Sequence, residues 1–148
     1  MAHISRARTF ATDPQTIWDV LADFGAISAW ADGIDHSCLL RVTAEPVGLT
    51  RRVQMGRIVL TERIIEFDAP GTLAYDIEGL PPFAGRVRNR WDLHPLSAQS
   101  TEVSLTTSVD IGSRLPQRLA ERAVCRVTAQ KSDGLLAGLA THLEGTHA

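Results

Sequence analysis

The segment DPQTIWDVLADFGAISAWADGIDHS, from Asp13 to Ser37, constrains the fold more tightly than any other stretch of the chain. Asp13 suits a helix cap, and Pro14 fits a first helical turn, where a missing N–H is no loss. Ile17, Trp18, Leu21 and Phe24 then recur at helical spacing. Gly25 interrupts the run, a second short apolar turn ends at Trp30, and a strand-like stretch follows. An alternating stretch, His3 to Phe10, comes first. Two short helices, over roughly Pro14 to Ala31, therefore lie between a first and a second strand. That layout implies a sheet wrapped around a longer helix, with a cavity between them.

The remaining residues supply both sheet and helix. IDHSCLLRVT places Ile34, His36, Cys38, Leu40 and Val42 on one face of the second strand. Pro46 and Gly48 make a turn into TRRVQM, where Val53 and Met55 form the apolar face. Gly56 marks a hairpin into IVLTERIIEF, and DAPG is the next turn. In TLAYDIEG, Leu73, Tyr75 and Ile77 point in, while Asp76 and Glu78 point out. LPPFAG is a loop. RVRNRWDLHP sets Val87, Asn89, Trp91 and Leu93 against a solvated face of Arg86, Arg88, Arg90 and Asp92. TEVSLTTSVDI contributes Val103, Leu105, Thr107 and Val109. Short turns between consecutive strands imply an antiparallel meander, seven-stranded with the first segment.

From Ser113, a candidate cap, the period changes. Pro116 fits the first turn, and Leu115, Leu119, Ala123 and Val127 recur at helical spacing, followed by Leu135, Leu136, Leu139 and Leu143. About thirty helical residues span roughly 45 Å, too long to lie on a small sheet unless the sheet curls around the helix. Gly134 and Gly138 interrupt this helix at about 1 kcal/mol each. Close approach to the sheet and a harmless surface position are both open readings. The expected class is α+β, a curved antiparallel sheet around a C-terminal helix.

With 148 residues, one domain over 1–148 can bury a real core. The formal charge of −2 shows no basic patch, which argues against nucleic acid as a partner. Arginine outnumbers lysine fourteen to one, a compositional bias. No apolar run is long enough to span a bilayer, and no secretory leader stands at the N-terminus. Cys38 and Cys125 make no disulfide framework. These features predict a cytoplasmic protein with reduced thiols; the sequence leaves its oligomeric state, monomer or homodimer, open.

Polar residues on otherwise apolar faces are the candidates for a site. His36 could be a core histidine, a donor to a ligand oxygen or an acid/base group. With Cys38 it supplies too few ligands for zinc, so no metal or cofactor is expected. Asn89 must hydrogen-bond a structural partner or a ligand. Glu62 points inward if its strand alternates regularly from Ile58; a bulge would turn Thr61, Arg63, Ile65 and Phe67 inward instead. Tyr75, the only tyrosine, is a core aromatic or a pocket donor. Trp91 is core or a ligand platform. The expected ligand-facing set adds Val53, Met55, Val87, Leu105 and Thr107 from the sheet, and Val124, Val127 and Thr128 from the long helix. Trp18 and Trp30 are packing residues. No G-x-S-x-G, Walker or Rossmann pattern occurs.

The element order, with Pro14, Trp18, Asp23 and Trp30, resembles the START-like (SRPBCC) superfamily. TERIIEFDAPGTLAYDIEG and RWDLHPL followed by TEVSL are similar to the central hairpins of its polyketide cyclase/dehydrase and lipid-transport group. The resemblance implies a helix-grip fold and an internal cavity for a lipid, polyketide or isoprenoid-like molecule. It equally admits a polyketide aromatase or cyclase using His36, Tyr75, Asn89 or Glu62. IDHSC and TERI also resemble the abscisic-acid receptor branch, whose lysine for the ligand carboxylate is His36 here. The connection at Gly56 is shorter than that branch's gate loop. The Gly-Gly pair of the fold's co-chaperone branch is missing from AEPVGLTRRV.

Overall fold

The computed structural model describes residues 2–80, 85–111 and 115–146, and for 115–128 and 146 the backbone alone. Ser113, His147 and most of the LPPFAG loop lie outside the described residues. Strand β1 (Ala2–Phe10) is followed by helix α1 (Pro14–Ala22) and a 3-10 helix (Phe24–Ala29). Strands β2 (His36–Arg41), β3 (Thr50–Met55), β4 (Ile58–Asp68), β5 (Thr72–Glu78), β6 (Arg86–Ser97) and β7 (Ser100–Asp110) then run to helix α2 (Leu115–Thr146).

All seven strands form one antiparallel sheet in the order β1-β7-β6-β5-β4-β3-β2. Strands β1 and β2 are thus adjacent in sequence yet occupy opposite edges. The helix pair between them carries the chain across the end of the sheet, which explains why its sequence is so constraining. Asp13 caps α1 by accepting from Thr16 N at 3.3 Å, and Ile17, Trp18 and Leu21 form the helix's buried face. Trp18 meets Phe67 edge-to-face at 5.1 Å, and Trp30 meets Trp91 at 6.0 Å. Both tryptophans are packing residues, as their spacing predicts.

The main core lies between the concave face of the sheet and the helices. Leu136, Leu139, Ala140 and Leu143 of α2 join Trp91, Val103 and Leu105 in it. Helix α2 rests mainly on β1 and β7, whereas the 3-10 helix rests on β2 and β3. Gly138 has a definite role, at a place different from the sheet: a Cβ there would stand 2.5 Å from the Trp30 carbonyl oxygen. It lets α2 touch the connection leaving the 3-10 helix. A Cβ on Gly134 would meet no atom within 4 Å.

Strand β4 satisfies both of its alternative parities in turn. Leu60, Glu62 and Ile64 point inward, a bulge between Ile64 and Glu66 shifts the register, and Phe67 then packs inward against Trp18. Strand β2 departs from expectation. Ser37 and Leu39, opposite the buried Val53 and Arg51, face the 3-10 helix, while His36 and Cys38 oppose Gln54 and Arg52 on the outer face and are exposed. Leu40 and Val42 are exposed as well.

Candidate functional site

A cavity of about 840 Å3 opens between the sheet and α2. Its floor is built from alternate residues of β3 to β7: Val53 and Met55, Leu60 and Glu62, Tyr75 and Ile77, Val87 and Asn89, and Thr107. Strand alternation aims each of these inward. Helix α2 contributes Gln130, Lys131, Ser132, Gly134 and Leu135. Asp32, Gly33 and Ile34, on the connection into β2, form the opposite lip.

A row of neutral hydrogen-bonding groups crosses the floor. Trp91 Nε1 donates to the Tyr75 hydroxyl at 3.3 Å, and Asn89 Nδ2 donates to the same oxygen at 3.5 Å. Thr107 Oγ1 donates to Asn89 Oδ1 at 2.7 Å and lies 3.5 Å from Ser132 Oγ on α2. Neighbouring strands place these side chains directly opposite one another, Tyr75 beside Asn89 and Asn89 beside Thr107. The row therefore follows from sheet register. Burial, followed by the charge of Glu62, pushes the Tyr75 hydroxyl above its ordinary pKa of 10.0.

Beneath one end of this row lies a buried ion pair. Arg51 Nε donates to Glu62 Oε1 at 2.7 Å, and Nη1 donates to the Phe24 carbonyl at 3.0 Å. The guanidinium carbon sits 3.8 Å from the Phe24 ring centre and 4.7 Å from that of Tyr75. Nη2 is 2.7 Å from the same carboxylate oxygen, without the alignment a hydrogen bond requires. Glu62 lines the cavity, and Arg51 stands behind it. The inward carboxylate is thus neutralised in place, the condition its burial demands.

The structure brings together Val53, Met55, Glu62, Tyr75, Val87, Asn89 and Thr107 from the expected set. Trp91 and Leu105 point inward but are sealed in the core, at 1% and 0% exposure, away from the cavity wall. His36 and Cys38 are corrections. Strand β2 begins only at His36, so Ile34 is out of phase with it and does not fix its parity. The inward position goes to Ser37, whose hydroxyl donates to Gly25 O at 2.7 Å and accepts from Ser28 N at 3.0 Å. The side chains of Val124, Val127 and Thr128 lie outside the described residues. Arg51 was not among the expected residues, although Val53 and Met55 put it on their own face. Gln130, Lys131 and Ser132 were likewise missed: one turn of a long amphipathic helix carries no mark of the opening beside it.

Among the described residues, no three His, Cys, Asp or Glu side chains gather as a metal site would require. No described helix is long and apolar enough to cross a membrane. Residues 1–144 match the profile of a family described as polyketide cyclase / dehydrase and lipid transport. The chain belongs to this family. Similar solved structures include aromatase/cyclases and a START superfamily protein. The Zhui aromatase/cyclase from Streptomyces sp. R1128 matches with a TM-score of 0.78 at 20% identity, over 97% of this chain and 93% of that one. A START superfamily protein from Mycobacterium smegmatis gives a TM-score of 0.79 at 17% identity, over 97% and 98%. The di-domain aromatase/cyclase BexL from the BE-7585A biosynthetic pathway gives 0.81 at 15% identity, over 97% of this chain and 47% of that one. At these identities the likeness is one of fold, the helix-grip. No curated protein matches the sequence.

Proposed function

We propose that residues 1–148 act as a single helix-grip unit that binds a small apolar or amphipathic molecule in the cavity. The observation that carries this reading is an apolar space of about 840 Å3 crossed by one row of neutral hydrogen-bonding groups. Such a lining holds a ligand by its apolar body and orients it by one or two polar atoms. Lipids, polyketides and isoprenoid-like molecules all have this form. A cytoplasmic setting agrees with the free thiol of Cys38.

A second reading, a cyclase or aromatase acting on a poly-ketone, is favoured by Glu62 and Tyr75. Both face the cavity, Glu62 as a carboxylate that can accept a proton from a bound poly-ketone and Tyr75 as a hydroxyl that can donate to its carbonyl. His36, on the outer face, drops out of that reading.

Nile red, a neutral apolar probe, tests the cavity. Binding at one equivalent is expected, and Gly134→Trp, which directs an indole toward open space beside the cavity, should weaken it about tenfold or more with an unchanged circular dichroism spectrum. Lack of probe binding, or equal affinity in the variant, would overturn the proposal.

A further inference from the structure

Among the described residues, the rim of the cavity carries unpaired charge that its interior does not. Glu62 on the wall is neutralised by Arg51, and Tyr75, Asn89, Thr107 and Ser132 are neutral. At the mouth, Lys131 stands exposed on α2 and Asp32 stands exposed on the opposite lip. Lys131 is the chain's sole lysine. Helical lysines find counter-ions three or four residues away, but those positions hold Val127, Thr128, Gly134 and Leu135. The nearby Asp133 is turned to Arg6 of β1, 3.5 Å away. Among the described residues Lys131 forms no ion pair, whereas Arg63 and Arg88 on the outer face each have one and Arg90 has two.

An ammonium on a four-carbon stem at the mouth can reach over the opening while its stem covers apolar surface. Gln130 beside it adds amide donors. Asp32 repels an anion from the other lip and so fixes it on the helix side. A ligand anion carried deeper would shed its water against apolar walls with no free cation among the described residues to meet it. One lysine matches one negative charge; a doubly charged phosphate monoester would be half-neutralised beside Asp32.

We infer that the cavity takes an amphipathic carboxylic acid tail first, with its apolar body inside and its carboxylate on Lys131, an inference that rests on the reading of the cavity as a ligand site. The test uses dodecanoate, dodecanol and dodecylamine as competitors of Nile red at about pH 8, where acid and amine are both charged. The wild-type protein should bind dodecanoate about fivefold more tightly than dodecanol, the scale of a rim ion pair, with dodecylamine weaker still. Lys131→Gln should abolish the preference, bringing the ratio of acid to alcohol affinity to about one. Lys131→Glu should reverse the order of acid and amine. Equal binding of acid and alcohol by the wild type, retention of the preference in Lys131→Gln, or first rank for the amine would overturn the inference alone. Failure of Nile red itself to bind would overturn the cavity reading and this inference with it.

Discussion

Replacing Glu62 by Leu isolates the Arg51 guanidinium in the protein interior. The Arg51 side chain is only 3% exposed, and its partner's is 9%. Breaking a buried pair by removing one member costs about 3–5 kcal/mol, because the survivor keeps its desolvation penalty. Two features soften the loss here. Nη1 keeps its bond to the Phe24 carbonyl, and the cation remains between the Phe24 and Tyr75 rings, worth about 0.5–2 kcal/mol. The expected cost of Glu62→Leu is therefore about 2–4 kcal/mol, or a fall in Tm of roughly 5–15 °C for a chain of this size. The double variant Arg51→Met/Glu62→Leu removes both charges and leaves a thioether against two rings. It should lie within about 1 kcal/mol of the wild type. Urea denaturation followed by tryptophan fluorescence measures all corners of the cycle. A Glu62→Leu variant within about 1 kcal/mol of the wild type, or a double variant as unstable as the two singles added, would refute the view that pairing alone keeps this carboxylate charged and buried.

Two further outcomes follow from close contacts and burial. Gly138→Ala sets a methyl 2.5 Å from the Trp30 carbonyl and should lose about 1–3 kcal/mol despite the better helix former, whereas Gly134→Ala meets nothing within 4 Å and should gain up to about 1 kcal/mol; equal changes in urea denaturation would contradict the packing described. Tyr75 keeps its proton in the folded state beyond the ordinary 10.0, chiefly because of burial, so its contribution to stability is complete below that value and is lost as pH rises through the folded pKa. Since it is the only tyrosine, tyrosinate absorbance in an alkaline titration should appear together with unfolding. Reversible ionisation near 10.0 in the folded protein would be the contrary result.

The element order was legible because each strand alternates over enough residues to fix its own phase. Strands β5, β6 and β7 did so cleanly, and they carry Tyr75, Asn89 and Thr107 to the cavity. Strand β2 spans only six residues at an edge, with apolar side chains on both faces, so its phase was set by the 3-10 helix packed on it. That contact is non-local and reversed the reading of His36 and Cys38. Arg51 was visible in the alternation TRRVQM, but its partner lies on the next strand, and only register puts Glu62 opposite it. The mouth residues Gln130 and Lys131 depend on which turn of the helix passes beside the opening, which no local pattern records.

Different parts of the chain cover the two ends of the sheet: α2 over β1 and β7, the 3-10 helix over β2 and β3. Their mutual contact passes through Gly138 and the connection after Trp30. The middle strands are left as a span between two piers, with the void beneath. Core residues such as Leu139 and Phe24 stand away from the void, whereas Ile77 and Val87 shape it. Side chains such as Ile77 and Val87 can therefore be exchanged to re-carve the chamber while Leu139 and Phe24 keep its supports in place.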